Sequence, residues 1–344
     1  MNQFIKDIQN ILKTLRNKTA RLYAHPLHIK LDEILQKYDT IQFGKEINPI
    51  DAFFAYRLLL GRNPSLLKEL PDLLSLEKVT LREFLNNLIG SEEFSKSPGF
   101  LPPNKILLSE IENFRFWFNS SDREMGVVMA LGYYEPFSVE LIKKIVKPGM
   151  ICIDAGAQTG FYTCLMASIG AEVHAFEPME KSYDLLVKNI QENNFQERVK
   201  TYKIACSDSN KLLSGSIVSN MYVNTEINLG EKITIQAAAV DDILTSQVDI
   251  IKIDIEGHEP QALDGMKNII NNYKPIIFSE INEYWLQQCS GINASQYVNI
   301  LNNLNYQVFA IHDLNNALQP ETLKLEILET MDIIAFHNDR EMKW

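Results

Sequence analysis

Nowhere in these 344 residues is there an apolar run long enough to cross a bilayer. The opening MNQFIKDIQNILKTL is amphipathic and lacks the continuous apolar stretch of a secretory signal, so a cytoplasmic protein without a membrane span is expected. Cysteine is scarce: four residues, scattered, with no C-x-x-C pair, which leaves a zinc site and a disulfide framework both poorly supported. Positive charge is also short, with 33 Lys+Arg against 44 Asp+Glu and a net charge of −11. No broad basic surface is available for a phosphate polymer, so no nucleic-acid partner is expected. The crowded glycines of G-x-G-x-x-G are missing, and with them the usual cradle for a dinucleotide pyrophosphate. No solenoid-type repeat is present.

What is there is an ordinary globular composition, 46% hydrophobic and 22% charged, in a chain long enough for one large domain and one small one. The informative stretch is MICIDAGAQTGFYTCLMASIGAEVHAFEP, from Met150 to Pro178. Met150 to Ile153 is a short unbroken apolar run, as in a strand covered on both faces. Asp154 opens a turn carrying Gly156 and Gly160. Gly156 is expected to let backbone approach a ligand without a Cβ in the way, and Gly160 to let the next helix, Phe161 to Ile169, start close by. That helix aims its partly positive N-terminus at the same place. Glu177 then ends a second strand, where α/β nucleotide-binding sheets place a carboxylate against a ribose. With a carboxylate at Asp154 the turn suits a ligand bearing an ammonium and a sulfonium better than a pyrophosphate. S-adenosylmethionine is such a ligand; an ordinary structural βαβ turn is the plainer alternative.

Along the chain, apolar residues recur at helical steps from Met1 to about Ser95, with Asn48-Pro49 as a helix start and Thr80 with Glu83 as a capping box. DAFFAYRLLLGRNP followed by FLNNLIGSEEF resembles a small helical module found beside glycosyltransferases; a packing or dimerisation arm is the competing reading. A homo-oligomer or a partner held through these helices would follow from either. Ser95 to Asn104 (SKSPGFLPPN) reads as a linker. The expected organisation is therefore a helical module over 1–95, a linker over 96–104 and an α/β domain over 105–344. FRFWF at Phe114 to Phe118 reads as a strand or pocket wall, with core the leading view. Further on, helices at Val139–Val146, Lys181–Asn193, Glu259–Ile270 and Ala294–Asn303 alternate with strands at Val199–Ala205, Val248–Asp254, Pro275–Ile281, Gln307–Ile311 and Met331–His337. Asn210 to Ala239 reads as an irregular hairpin excursion. Such alternation predicts a doubly wound α/β sheet.

Ligands in such sheets bind outside the carboxyl ends of the strands, which brings Asp254, Glu256, His258 and Glu259 of IKIDIEGHEP, with Glu280, near the cofactor rim. Methyl transfer to a hydroxyl needs alignment and a proton acceptor. With a reference pKa near 6.5, His258 is the expected general base. Asp254 and Glu280 would then orient the hydroxyl or the cofactor ammonium. The same acids could instead cap the next helix or hold Mg²⁺ or Ca²⁺; no metal is expected.

DAGAQTGFYT, AFEP, the VDDIL segment and VDIIKIDIEGHEPQALDG together resemble FkbM-type methyltransferases over about Tyr133 to Ile281. The resemblance implies a class I (Rossmann-like) methyltransferase fold and S-adenosylmethionine-dependent O-methylation of a sugar or other hydroxylated metabolite, with S-adenosylhomocysteine as product. It also implies that Asp154, Gly156 and Gly160 cradle the methionine end, Glu177 the ribose, and Ser207 and Asp208 the adenine, with Glu135 approaching from the preceding loop. Gln158 stands where the family commonly has Asn, retaining the amide. Two rivals follow from the residues. A nicotinamide oxidoreductase is disfavoured by Asp154, and a non-catalytic scaffold is disfavoured by the combination of Asp154, Gly160 and Glu177. N-methylation of a small metabolite is a milder variant.

Overall fold

The computed structural model describes residues 105–111, 113–122, 125–130, 134–218, 221–223, 232–311 and 330–339, with isolated positions before residue 92. The helices expected over 1–95 and the linker lie outside the described residues, apart from those few positions. Chain contacts divide the protein into two units, Met1–Tyr134 and Glu135–Trp344.

In the first unit, β1 (Ile106–Ile111) and β2 (Phe114–Asn119) form an antiparallel hairpin, followed by α1 (Gly126–Ala130). Phe114, Phe116 and Phe118 are all buried, alternating with Arg115 and Trp117, so the aromatic stripe is core as expected.

The second unit opens with α2 (Pro136–Ile145) and β3 (Ile151–Ala155). The chain then alternates through α3 (Phe161–Ile169), β4 (Glu172–Phe176), α4 (Glu180–Glu192) and β5 (Val199–Tyr202). β6 (Ala205–Cys206), β7 (Lys211–Val218), β8 (Met221–Val223) and β9 (Lys232–Ala238) make a separate small sheet in the order β6-β9-β7-β8. The excursion expected to be irregular is thus a sheet. Its β7 and β9 pair antiparallel over six positions and bury Leu213, Ile235 and Ala237 as a minor core. After a 3₁₀ turn at Val240–Asp242 come β10 (Ile250–Ile253), α5 (Glu259–Asp264), α6 (Lys267–Tyr273) and β11 (Ile276–Asn282). The last elements are α7 (Ala294–Asn303), β12 (Tyr306–Ala310) and β13 (Thr330–His337).

The large sheet runs β12-β13-β11-β10-β3-β4-β5 and is parallel except for β13, which lies antiparallel between β11 and β12. This is the doubly wound, Rossmann-like arrangement expected of a class I methyltransferase domain. Its direction of winding reverses between β3 and β10, which places a crevice at their carboxyl ends.

All four residues of β10 are buried, as are the first seven of α3, which explains their lack of polar alternation. One face carries Ile153, Ala155, Ile251 and Ile253 against Leu263 of α5, Ile269 of α6 and Leu301 of α7. Each fully buried aliphatic side chain there contributes roughly 1.5–3 kcal/mol over its exposed state. Asp154 and Lys252 alternate to the opposite face, under α3, and are themselves register partners across the switch point. The site is built around that pair.

Candidate active site

The turn after β3 is held by backbone. Gly156 and Ala157 both donate their N–H to the Phe176 carbonyl at 3.0 Å, and Gly160 closes the turn onto Ala157. Gly156 adopts φ +85°, and a Cβ there would lie 1.9 Å from the Asp254 carbonyl oxygen. Packing against the β10 loop thus requires a glycine at this position. Gly160, at φ +92°, caps α3 with Leu186 pressed against its missing Cβ. Gln158 also sits at positive φ, +49°, and its side-chain oxygen accepts from the Thr159 amide and hydroxyl.

Asp154 has no exposed surface. Thr163 Oγ1 donates to its Oδ2 at 2.6 Å, while Oδ1 has no hydrogen-bond partner. Burial raises its pKa, against the lowering effects of the Lys252 charge and the Thr163 hydrogen bond. A buried carboxylate oxygen without a donor costs about 1–3 kcal/mol or more. An ammonium placed there relieves that cost, so the residue fits the cofactor's methionine end.

Glu177 is buried too, and accepts from the Gln158 N–H at 2.9 Å and the Met179 N–H at 2.8 Å. Each oxygen keeps a second acceptor position, which suits a ribose diol. Burial lifts its pKa to about 7 even though the two amides oppose this. Farther along, Ser207 Oγ donates to Asp208 Oδ1 at 3.2 Å and lies 3.0 Å from His258 Nε2. A charged carboxylate is the stronger acceptor, so the hydroxyl hydrogen goes to Asp208 and His258 is the Nε2–H donor. Asp208 is also held by Lys211 at 2.5 Å.

On the other side of the switch point, a cleft is lined by Glu135, Tyr162, Lys252, Asp254, Glu280 and Asp332 among others. The Lys252 ammonium donates to Asp254 Oδ2 at 3.1 Å and lies 4.8 Å from the centre of the Tyr162 ring. Burial alone would depress it, but Asp254, Asp154 and Glu135 outweigh that and hold it above the usual lysine range. Tyr162 donates to Glu135 Oε2 at 2.5 Å, and Ser138 to Asp332 Oδ2 at 2.6 Å. The α2 N-terminus is thereby tied to the cleft, with Glu135 as its cap at φ 38°.

Asp254, Glu256 and Glu280 bring carboxylate oxygens within 4.8 Å of one another. Burial, then the charges of Asp254 and Glu256, push Glu280 to about 10; burial and Asp254 push Glu256 to about 8. The three have the chemistry to hold a hard cation, although Lys252 already sets a cation against Asp254. The turn between them is fixed by Glu256 at φ 53°, by Gly257 at φ +86° against the Trp285 carbonyl, and by Glu259. The Glu259 Oε1 accepts from the Ile255 and Gly257 amides.

Residues 154–319 match the family described as the Methyltransferase FkbM domain. Over that stretch the chain resembles an FkbM methyltransferase domain. A domain of this family is S-adenosylmethionine-dependent. A curated relative, the hexuronic acid methyltransferase AglP of Haloferax volcanii, is 25% identical over 128 residues, covering 36% of this chain and 53% of the relative. The match thus spans about half the length of that protein. Among solved structures, methyltransferase FkbM from Methylobacillus flagellatus KT is 15% identical, with 63% of this chain and 55% of that one covered and a TM-score of 0.37. A Streptococcus mutans protein in complex with SAH is 13% identical, with 58% and 96% covered and a TM-score of 0.38.

Within the matched stretch, the turn residues Asp154, Gly156, Gln158 and Gly160 gather with Glu177 at the carboxyl ends of β3 and β4. Ser207 and Asp208 follow β6. Glu135, Asp254 and Glu280 face the cleft instead. His258 is not among the residues lining that cleft: it is 5% exposed and engaged with Ser207, and burial lowers its pKa to about 4. Sequence reasoning missed Lys252, Tyr162, Ser138 and Asp332. A lysine between isoleucines in a strand buried on both faces was the available signal, because it cannot be buried without anionic partners.

Proposed function

We propose that this protein is an S-adenosylmethionine-dependent O-methyltransferase acting on a sugar hydroxyl, and that the cleft beside Lys252 receives the acceptor. The observation carrying the reading is the buried Asp154 oxygen without a donor, one strand away from an open cleft lined with carboxyl groups. The relative named as a hexuronic acid methyltransferase supports a sugar acceptor.

In this reading Asp154 would hold the cofactor's ammonium, Glu177 its ribose hydroxyls, and Ser207 with Asp208 its adenine edge. When bound, the cofactor supplies a methyl group on an electrophilic sulfonium. The acceptor oxygen gains that methyl and loses its proton. Asp254, kept by Lys252 at the mouth of the cleft, is the side chain we assign as proton acceptor. Glu280, held protonated at neutral pH, donates an orienting hydrogen bond to the acceptor. His258 holds Ser207 in place and stays outside proton transfer. Orientation of this kind supplies a large part of the acceleration in such reactions, several kcal/mol.

The test is transfer of labelled methyl from S-adenosylmethionine to a panel of glycosides, with product analysis for an O-methyl ether. Labelled sugar product lost in Asp254→Asn is the expected result. Label on an amine, or none on any sugar, contradicts it.

A further inference from the structure

Lys252 stands between two acids at the switch point. It is the register partner of Asp154 on the neighbouring parallel strand, and Asp254, two residues further on, takes its ammonium at 3.1 Å. The lysine is 7% exposed and is flanked by Ile251 and Ile253, both fully buried. Asp154 accepts from Thr163 at Oδ2 and has no hydrogen bond at Oδ1. Lys252 therefore acts on Asp154 as a charge across the strand pair, while it acts on Asp254 as a donor.

We propose that Lys252 is a positioning residue for the cofactor: without touching the ligand, its buried ammonium keeps the Asp154 carboxylate charged for the cofactor's own ammonium. This rests on the reading above in which Asp154 holds that ammonium, and deepens it by naming what maintains the holding charge.

A carboxyl group with no exposed surface retains its proton unless a positive charge or donated hydrogen bonds offset the lost water. Thr163 supplies the hydrogen bond and Lys252 the charge, while burial and Asp254 push the other way. Glu177, after β4, is a further carboxyl group in the field of Asp154. The thiols of Cys152, Cys164 and Cys206 feel the same charge but are kept protonated by burial. On its other side Lys252 interacts with Glu135, Glu256 and Asp332 as well as Asp254, so its own charge is retained.

This arrangement gives cofactor binding a particular pH dependence. While Asp154 is charged, Lys252 repels the incoming ammonium and opposes binding weakly. Once Asp154 is protonated, that proton must leave to solvent before the ammonium can take its place, and affinity falls as pH drops. Loss of Lys252 should therefore preserve or tighten binding at high pH and weaken it at low pH.

The experiment measures S-adenosylhomocysteine affinity by calorimetry from about pH 5 to 8.5, where the ligand's amine stays protonated. The proteins are the wild type, Lys252→Gln, Lys252→Met, Asp154→Asn and the double variant Asp154→Asn with Lys252→Gln. Gln keeps an N–H donor for Asp254, and Met keeps an unbranched side chain in the buried strand. Glu177, lifted by burial to about 7, titrates in the same window, and any effect of Lys252 exerted through it persists in the Asp154→Asn background. Expected is that the pH below which affinity falls rises by about one unit or more in either Lys252 variant. High-pH affinity should be unchanged or tighter, and Lys252→Gln should not move the midpoint in the Asp154→Asn background. A uniform loss of affinity at every pH, or a shift that persists without Asp154, overturns the inference and leaves Asp154 as the ammonium's partner. Binding by Asp154→Asn as tight as by the wild type removes that reading and the inference together.

Discussion

The Nε2 of His258 lies 3.0 Å from the Oγ of Ser207, and the histidine is buried with its pKa lowered to about 4. It is therefore neutral throughout the physiological range. It holds a hydroxyl that the family resemblance assigns to the adenine, and neither residue is among those lining the cleft. The account predicts that His258→Ala weakens S-adenosylhomocysteine binding about ten-fold, the effect of freeing one buried polar partner. Turnover at saturating cofactor should change less than about three-fold, a change of well under 1.4 kcal/mol in the barrier. Separate determination of cofactor affinity and kcat decides this. A hundred-fold loss of kcat with unchanged affinity would restore His258 as the base.

Stability should fall as pH rises from about 6.5 to 9. Burial raises the native pKa values of Glu177 and Glu259 to about 7, of Glu256 to about 8 and of Glu280 to about 10. The folded chain thus binds more protons than the unfolded chain, in which these groups titrate near 4.5. The stability they contribute is complete below that value and is lost as pH passes through the native pKa values. His258 acts in the opposite direction, but only between about 4 and 6.5. Tm of the cofactor-free protein measured at half-unit pH steps tests this. Glu280→Gln should flatten the slope above pH 8, and a Tm that rises from 7 to 9 would refute the assignment.

Gly265 has an ordinary helical backbone with no positive φ, so alanine should favour the helix there by about 1 kcal/mol. Its missing Cβ, however, points at the Ser207 carbonyl oxygen 1.9 Å away. Gly265→Ala is predicted to destabilise by about 1–3 kcal/mol through forced displacement, and to weaken cofactor binding through Ser207. Urea denaturation of the wild type and Gly265→Ala checks this. Equal stability of the two proteins would show that the Ser207 backbone is free to move.

How much of this was legible in the sequence depends on how local each signal is. The limits of α3 and α7 coincide with those expected. Gly160 and Gly170 bracket the first at positive φ, and Asn293 with Gln296 forms a capping box at the second. The expected single helix from Glu259 to Ile270 is two, α5 and α6, divided at Gly265 and Met266 where the chain presses on Ser207. Strand direction has no local signature, so nothing in TMDIIAFH announced the antiparallel insertion of β13. With that strand came Asp332, unread until topology carried it to Ser138. In the 210–239 excursion, KITIQAA alternates polar and apolar residues as a half-exposed strand does, while Gly215 and the serines beside it in KLLSGSIV read as loop. On the cofactor side Asp154 and Glu177 were readable because their chemistry is tied to one short turn. The cleft is assembled from α2, α3, β10, β11 and β13, which no spacing rule joins.

The account turns on Asp154, and calorimetric titration with S-adenosylhomocysteine of the wild-type protein and Asp154→Asn tests it most directly. The amide keeps the Thr163 hydrogen bond and removes a buried charge, so the variant should be folded and at least as stable as the wild type without ligand. Micromolar binding by the wild type and at least a ten-fold loss in the variant, with Tm unchanged or raised, is the predicted result. Equal binding by both proteins, or none by a folded wild type, would contradict it.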